Sequence, residues 1–119
     1  MQGHRVVLPF HVPGTLAADL DIRWKAPFDC VVKHISAVTS NDSDATLAVG
    51  ISTDSDSILA AAAVGDSQVP VEKTRSNFAS TNSEGVLNKG DILVLTVDYD
   101  GATGTAGADL TIVLTLLEG

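Results

Sequence analysis

The stretch Thr15-Leu16-Ala17-Ala18-Asp19-Leu20-Asp21-Ile22-Arg23-Trp24-Lys25 alternates without a break. Leu16, Ala18, Leu20, Ile22 and Trp24 fall on one face, and Ala17, Asp19, Asp21, Arg23 and Lys25 on the other. Period two of this quality specifies a strand with one face buried and one in water, because a helix would scatter the aspartates into its apolar stripe. Pro13-Gly14 ahead of it and Ala26-Pro27 behind it supply turn chemistry.

The same reading extends outward. Leu110, Ile112, Leu114 and Leu116 share a face, opposed by Thr111, Val113, Thr115 and Leu117, which predicts a strand buried on one side and partly covered on the other. Ile92 to Tyr99 sets Leu93, Leu95, Val97 and Tyr99 against Ile92, Val94, Thr96 and Asp98, with Gly90-Asp91 before it and Asp100-Gly101 after. Val31 to Val38 is β-rich but of ambiguous phase: one face would carry Val31, Ile35 and Ala37 with Lys33 among them, the other Val32, His34, Ser36 and Val38. Leu47, Val49 and Ile51 mark a short strand. Ser57 to Val64 reads as strand, with one helical turn as the alternative for its alanines. Val6 to Phe10 and Val69 to Glu72 bring the set to about eight. Short strands with polar joints at 40–44, 53–56 and 100–107 predict an all-β fold, an antiparallel β-sandwich of the jelly-roll type. An immunoglobulin-like sandwich is the competitor. Trp24 is present for it, but a single cysteine, Cys30, cannot form the cysteine pair that usually flanks such a tryptophan.

The chain has 119 residues, 45% hydrophobic and 18% charged, which excludes a disordered chain and suits one domain. Residues 13–119 read as that domain, and residues 1–12 as an N-terminal segment able to act as a contact arm. The formal net charge of −8 argues against electrostatic attachment to nucleic acid or anionic lipid. No apolar stretch reaches the roughly 18 residues that span a bilayer, and the N-terminus lacks a secretory h-region. A soluble acidic domain made in a cytoplasm is expected, with the Asn41-Asp42-Ser43 sequon accidental.

Catalysis needs convergent groups, and few are on offer. There is no nucleophile elbow, no zinc-protease helix and no phosphate-binding glycine loop. His4, His11 and His34 read as isolated imidazoles. Cys30 and His34, four apart on a strand, would be separated by about 13 Å, too far for a dyad. Asp42/Asp44, Asp54/Asp56 and Asp98/Asp100 each place two carboxylates near a turn. They could hold calcium, or serve as ordinary turn acceptors for backbone amides, which is the favoured reading. Asp19 and Asp21 read as a solvated face. No catalytic, cofactor-binding or metal-binding residue is assigned, and the chain is not expected to be an enzyme. The second faces of the strands carry more apolar residues than one sandwich needs, notably Val113, Leu117, Ile92 and Val94, which predicts a homo-oligomer of closed symmetry. The long stretch Thr74 to Val86, with Phe78 as its one bulky residue, is a second candidate contact.

Two features carry a resemblance: the Ala26-Pro27-Phe28-Asp29 corner after a polar-faced strand, and the strand starts Lys89-Gly90-Asp91 and Gly107-Ala108-Asp109-Leu110-Thr111. In this order they resemble the jelly-roll head decoration proteins of tailed bacteriophages. The resemblance implies a virion structural protein, often trimeric, on the outer capsid surface with the major capsid protein as partner. The alternative is a receptor- or glycan-binding module of a virion or cell surface, which would expose aromatics or a cation at one loop end. A small enzyme of cupin type would need converging histidines.

Overall fold

The computed structural model describes residues 4–52, 54–64, 69–82, 84–99 and 104–118. It contains nine strands among these residues: β1 (Arg5–Thr15), β2 (Leu20–Lys25), β3 (Cys30–Val38), β4 (Thr46–Ile51), β5 (Asp54–Ala63), β6 (Val71–Thr74), β7 (Val86–Leu87), β8 (Ile92–Asp98) and β9 (Ala108–Glu118). All pairings are antiparallel. One sheet has the order β1-β9-β3-β6 with β7 beside β3, and the other β2-β8-β4-β5. Apart from the two-residue β7, the pairs are nested: first with last, second with second-last, β3 with β6, β4 with β5. A long hairpin rolled so that β9 also meets β3, and β8 also meets β4, is the jelly-roll winding.

The core lies between the inner faces. Leu110, Ile112, Leu114 and Leu116 of β9 are all 0% exposed. They stand opposite Val12, Phe10, Leu8 and Val6 of β1 on one side. Val32, Ile35 and Ala37 of β3 line the other side. In the second sheet the rows Leu20–Val97–Leu47, Ile22–Leu95–Val49 and Trp24–Leu93–Ile51 complete it. Trp24 is half-buried and packs on this core, as the alternation predicts.

Four sequence expectations need correction. The strand expected over Thr15–Lys25 is split: Thr15 ends β1, and β2 starts at Leu20. Residues 16–19 carry the chain from one sheet to the other, with Leu16 still buried and its amide donating to the Gly107 carbonyl at 2.8 Å. Pro13-Gly14 is not a turn before a strand. It lies inside β1 at a register shift between Val12 and Thr15, where Gly14 has φ +82. The phase of β3 is ambiguous in sequence because its register shifts between Val32 and His34, so Cys30 and Val32 share the inner face with Ile35 and Ala37. Val94, counted as surplus, is 2% exposed within its own chain.

Most of segment 1–12 is edge strand β1. The Glu118 amide donates to the His4 carbonyl, so the even residues of β1 turn their backbone groups toward β9 and the odd ones toward the free edge. Pro9 is odd, and therefore removes a donor from that edge, which blunts pairing with a foreign strand. Because Val6, Leu8, Phe10 and Val12 pack on the core, β1 belongs to the folded unit.

Adjacent residues of β9 should respond very differently to truncation. Leu114→Ala is expected to lower unfolding free energy by about 2–5 kcal/mol. Val113→Ala, on the half-exposed outer side, should cost less than about 1 kcal/mol. Urea midpoints of the two variants check this, and equal losses would contradict the assigned faces.

Candidate interaction surface

Each group with chemical potential can be followed to its place. Cys30 is 2% exposed on the inner face, and burial, then Asp29 and Glu118, push its thiol above the ordinary range. The register shift puts His34 on the opposite face, so the two form no dyad. His34 Nε2 instead meets Glu72 Oε1 at 2.9 Å, His4 Nδ1 meets Glu118 Oε1 at 3.1 Å, and His11 Nδ1 meets Thr111 Oγ1 at 2.9 Å. The three histidines thus have three separate partners. Among the described residues no group of three or more histidine, cysteine or acidic side chains gathers as a metal site would require.

The aspartates have a different task. Asp19 Oδ1 accepts from the Tyr99 amide at 3.1 Å, Asp29 Oδ1 from Lys89 at 2.7 Å, and Asp44 Oδ2 from Thr105 at 2.7 Å. Asp91 Oδ2 accepts from the Asn88 amide at 2.9 Å. Asp109, in the left-handed region at φ 49, accepts from the Gly14 amide through Oδ1 and from the Ser40 hydroxyl through Oδ2. Most of these carboxylates tie one loop to another across the ends of the sandwich. The turn reading therefore accounts for Asp44. Asp42 is exposed, Asp54 and Asp56 are taken up below, and Asp100 lies outside the described residues. The sequon's Asn41 is engaged at both ends of its amide, donating to Ala106 and accepting from Ala108.

The Ala26-Pro27-Phe28-Asp29 corner meets the Lys89-Gly90-Asp91 strand start, whereas the Gly107 start lies elsewhere, against Leu16 and Thr39. The Ala26 amide donates to Asp91, and the Gly90 amide to Ala26, each at 2.8 Å. An open hollow of about 410 Å³ lies at this corner, lined by Lys25, Ala26, Pro27, Lys89 and Gly90.

The described residues of the stretch 74–86 are tied down by backbone and side-chain bonds. Two short 3-10 turns, Arg75–Asn77 and Ser80–Asn82, flank the buried Phe78. The Ala79 amide donates to Ile58 of the other sheet at 2.8 Å, while the Asn82 side chain bonds both the amide and the carbonyl of Val86 at 3.0 Å.

Exposed apolar residues gather on the outer face of the β1-β9-β3-β6 sheet, while Val69, 61% exposed, stands apart ahead of β6. The rows of that face run Arg5–Leu117–Val31–Val86, Val7–Thr115–His34–Thr74 and Pro9–Val113–Ser36–Glu72. Val7 is 58% and Val86 41% exposed. On these rows of a chain with net charge −8, Arg5 and Glu72 are charged whatever the protonation of His34, and exposed Lys33 adds a positive charge at the register shift between the Val31 and His34 rows. A sheet face with so few charges and with Val7, Val31, Val86, Val113 and Leu117 along its rows is suited to protein contact. Sequence reasoning found Val113 and Leu117 of this face but not the rows that join them to Val7, Pro9 and Val86.

No protein-family model matches the sequence, and comparison with curated proteins gives no match. Among solved structures, the fold is similar to a chain of the cyanophage Pam1 capsid asymmetric unit. The TM-score is 0.60 and the identity 14%, over 99% of this chain and 87% of that one. The two chains therefore share a fold and are close in length.

The Gly14 amide, then the Ser40 hydroxyl, hold the Asp109 carboxyl below its ordinary range. A depressed folded value adds stability that is present above the unfolded value, about pH 4, and is lost as pH falls through the folded one. Asp109→Asn keeps a residue that tolerates the left-handed backbone but removes the charge. Its melting temperature should lie below wild type at pH 7, and the gap should shrink toward pH 2.5. A gap independent of pH would assign the loss to geometry rather than to the carboxylate.

Proposed function

We propose that this chain is a virion structural protein that decorates a phage capsid. It binds the outer capsid surface as a homo-oligomer, a trimer on the decoration reading, and stabilises the head. The observation that carries the proposal is the match along nearly the whole of both chains to a similarly short chain of a cyanophage capsid unit. The molecule's own geometry is compatible: carboxylates tie loops together, the thiol is buried, and a broad sheet face with few charges is left for protein contact.

The mechanism is mechanical. A pressurised shell fails when neighbouring subunits separate. A protein that binds only the assembled surface, across such a joint, stabilises it by its binding free energy through mass action. The partner is the major capsid protein, and the contact is the outer face of the β1-β9-β3-β6 sheet, including the part of segment 1–12 that forms β1. The glycan-binding alternative receives no support from Trp24, which packs on the core rather than standing as a sugar platform.

The test uses heads of the phage that encodes the chain, stripped of it and then reconstituted. Wild-type protein should co-sediment with heads and raise their disruption temperature. Val113→Asp with Leu117→Asp, on the outer face, should fold normally by circular dichroism yet bind at least about tenfold more weakly, equivalent to about 1.4 kcal/mol. Absence of the chain from purified virions, or unchanged binding by the double variant, would overturn the reading or its assigned face respectively.

A further inference from the structure

The β2-β8-β4-β5 sheet is electrically lopsided at one end. Lys25 closes β2 and stands opposite Ile92; Ile51 closes β4, and Asp54 opens β5 opposite it. The Ser52 amide donates to Ile92 at 3.0 Å, so these residues lie level with one another. One edge of this end therefore carries Lys25, with Lys89 beside it across the hollow; Asp29 and Asp91 stand at the same corner, but their carboxylates accept from the Lys89 and Asn88 amides, and the residues that line the hollow are two lysines and no acid. The other edge carries Asp54 and Asp56, both exposed. Neither lysine forms an ion pair among the described residues. Three strand spacings, about 14 Å, separate the edges. That exceeds the screening length of about 8 Å at physiological salt, so the two groups do not neutralise one another within the chain.

The acidic edge is also fixed in place. The backbone of Asp54 and Ser55 folds so tightly over Gly50 that no Cβ fits there. A side-chain hydrogen bond with Asp56 raises Asp54 above its ordinary range, so the two carboxyls stand together at this end of β5. Further along β5, Ala60, Ala61 and Ala63 are exposed and small, so a neighbour can approach this edge closely.

We infer that the hollow at Lys25, Ala26, Pro27, Lys89 and Gly90 is a docking site for a second copy of this chain, which inserts the Asp54 and Asp56 end of its β5. This rests on the homo-oligomer in the functional reading above and names its interface. The geometry is consistent with closure. Rotation about an axis parallel to the strands keeps the ends level, so the basic edge of one copy meets the acidic edge of the next. In the alternating sheet β2 and β5 run oppositely, so the strands that meet are antiparallel. The contact is head-to-tail, and it forms a ring when the rotation closes.

Light scattering of the full chain in low salt tests this, with circular dichroism to establish folding. Wild type should show a single oligomer that dissociates as salt rises. Asp54→Lys with Asp56→Lys, and separately Lys25→Glu with Lys89→Glu, should each run at the protomer mass. The four substitutions together should restore the oligomer. The first pair makes the chain less negative, so general charge repulsion alone would predict tighter assembly, the opposite outcome. A monomeric wild type, oligomers that survive both reversals, or failure of the fourfold variant to reassemble would each overturn the interface. Head binding is measured separately, so loss of this ring and loss of the capsid reading remain distinguishable.

Discussion

The structure hangs on β9. It is the strand with long partners on both sides, β1 and β3, and four of its inward residues are fully buried. Side chains alternate strictly, so a one-residue slip would carry Leu110, Ile112, Leu114 and Leu116 to the outer face together. At about 1.5–3 kcal/mol for each large apolar side chain buried, such a slip would consume most of a domain's net stability. The registers of β1 and β3 are thereby set. The nested order follows, because β1 comes from one end of the chain and β3 from nearer its middle. The register shift in β3 is a consequence as well. Without it, Cys30 and Val32 could not share a face with Ile35 and Ala37 beside an uninterrupted β9.

Charge is organised by the same winding. Rolling a long hairpin leaves loops that cross at both ends, and each crossing exposes backbone amides that no ladder can satisfy. Aspartate answers that need with a short side chain that reaches a neighbouring amide. Asp19, Asp29, Asp44, Asp91 and Asp109 do so here, so much of the acidity is structural in origin. A chain of net charge −8 nonetheless repels its own copies. Close association is then confined to places where the field is locally neutral or complementary.

The sequence showed β2, β8 and β9 plainly, because their alternation spans a whole strand in water-facing sheets. It hid whatever depends on a partner. The phase of β3 is set by β9 and a register shift. Leu16 lies on the inner side of a crossover, so its pattern imitates a strand continuous with β2. The acidic pairs look alike in sequence, yet Asp44 bonds a loop amide some sixty residues away while Asp54 bonds its near neighbour Asp56. The outer contact face was half legible: Val113 and Leu117 stood out, whereas Val94, of the same type on a similar strand, is covered by its own chain. No local pattern separates those two cases, because the distinction lies in what crosses over the residue.

The two proposed contacts would depend on one another quantitatively. Four strands about 4.8 Å apart, over the length from Arg5 to His11, give the outer face a footprint on the order of 400 Å². A stable pairwise interface buries about 800 Å² on each partner. One copy on one capsid site is therefore a weak binder. Joining copies into a ring makes each later attachment intramolecular, and avidity can then exceed single-site affinity by about 10²–10⁴ without any new contact. The ring interface and the lattice face occupy different sheets, so neither obstructs the other. A salt-sensitive ring on a lattice of matched spacing would hold firmly while its separate copies would not.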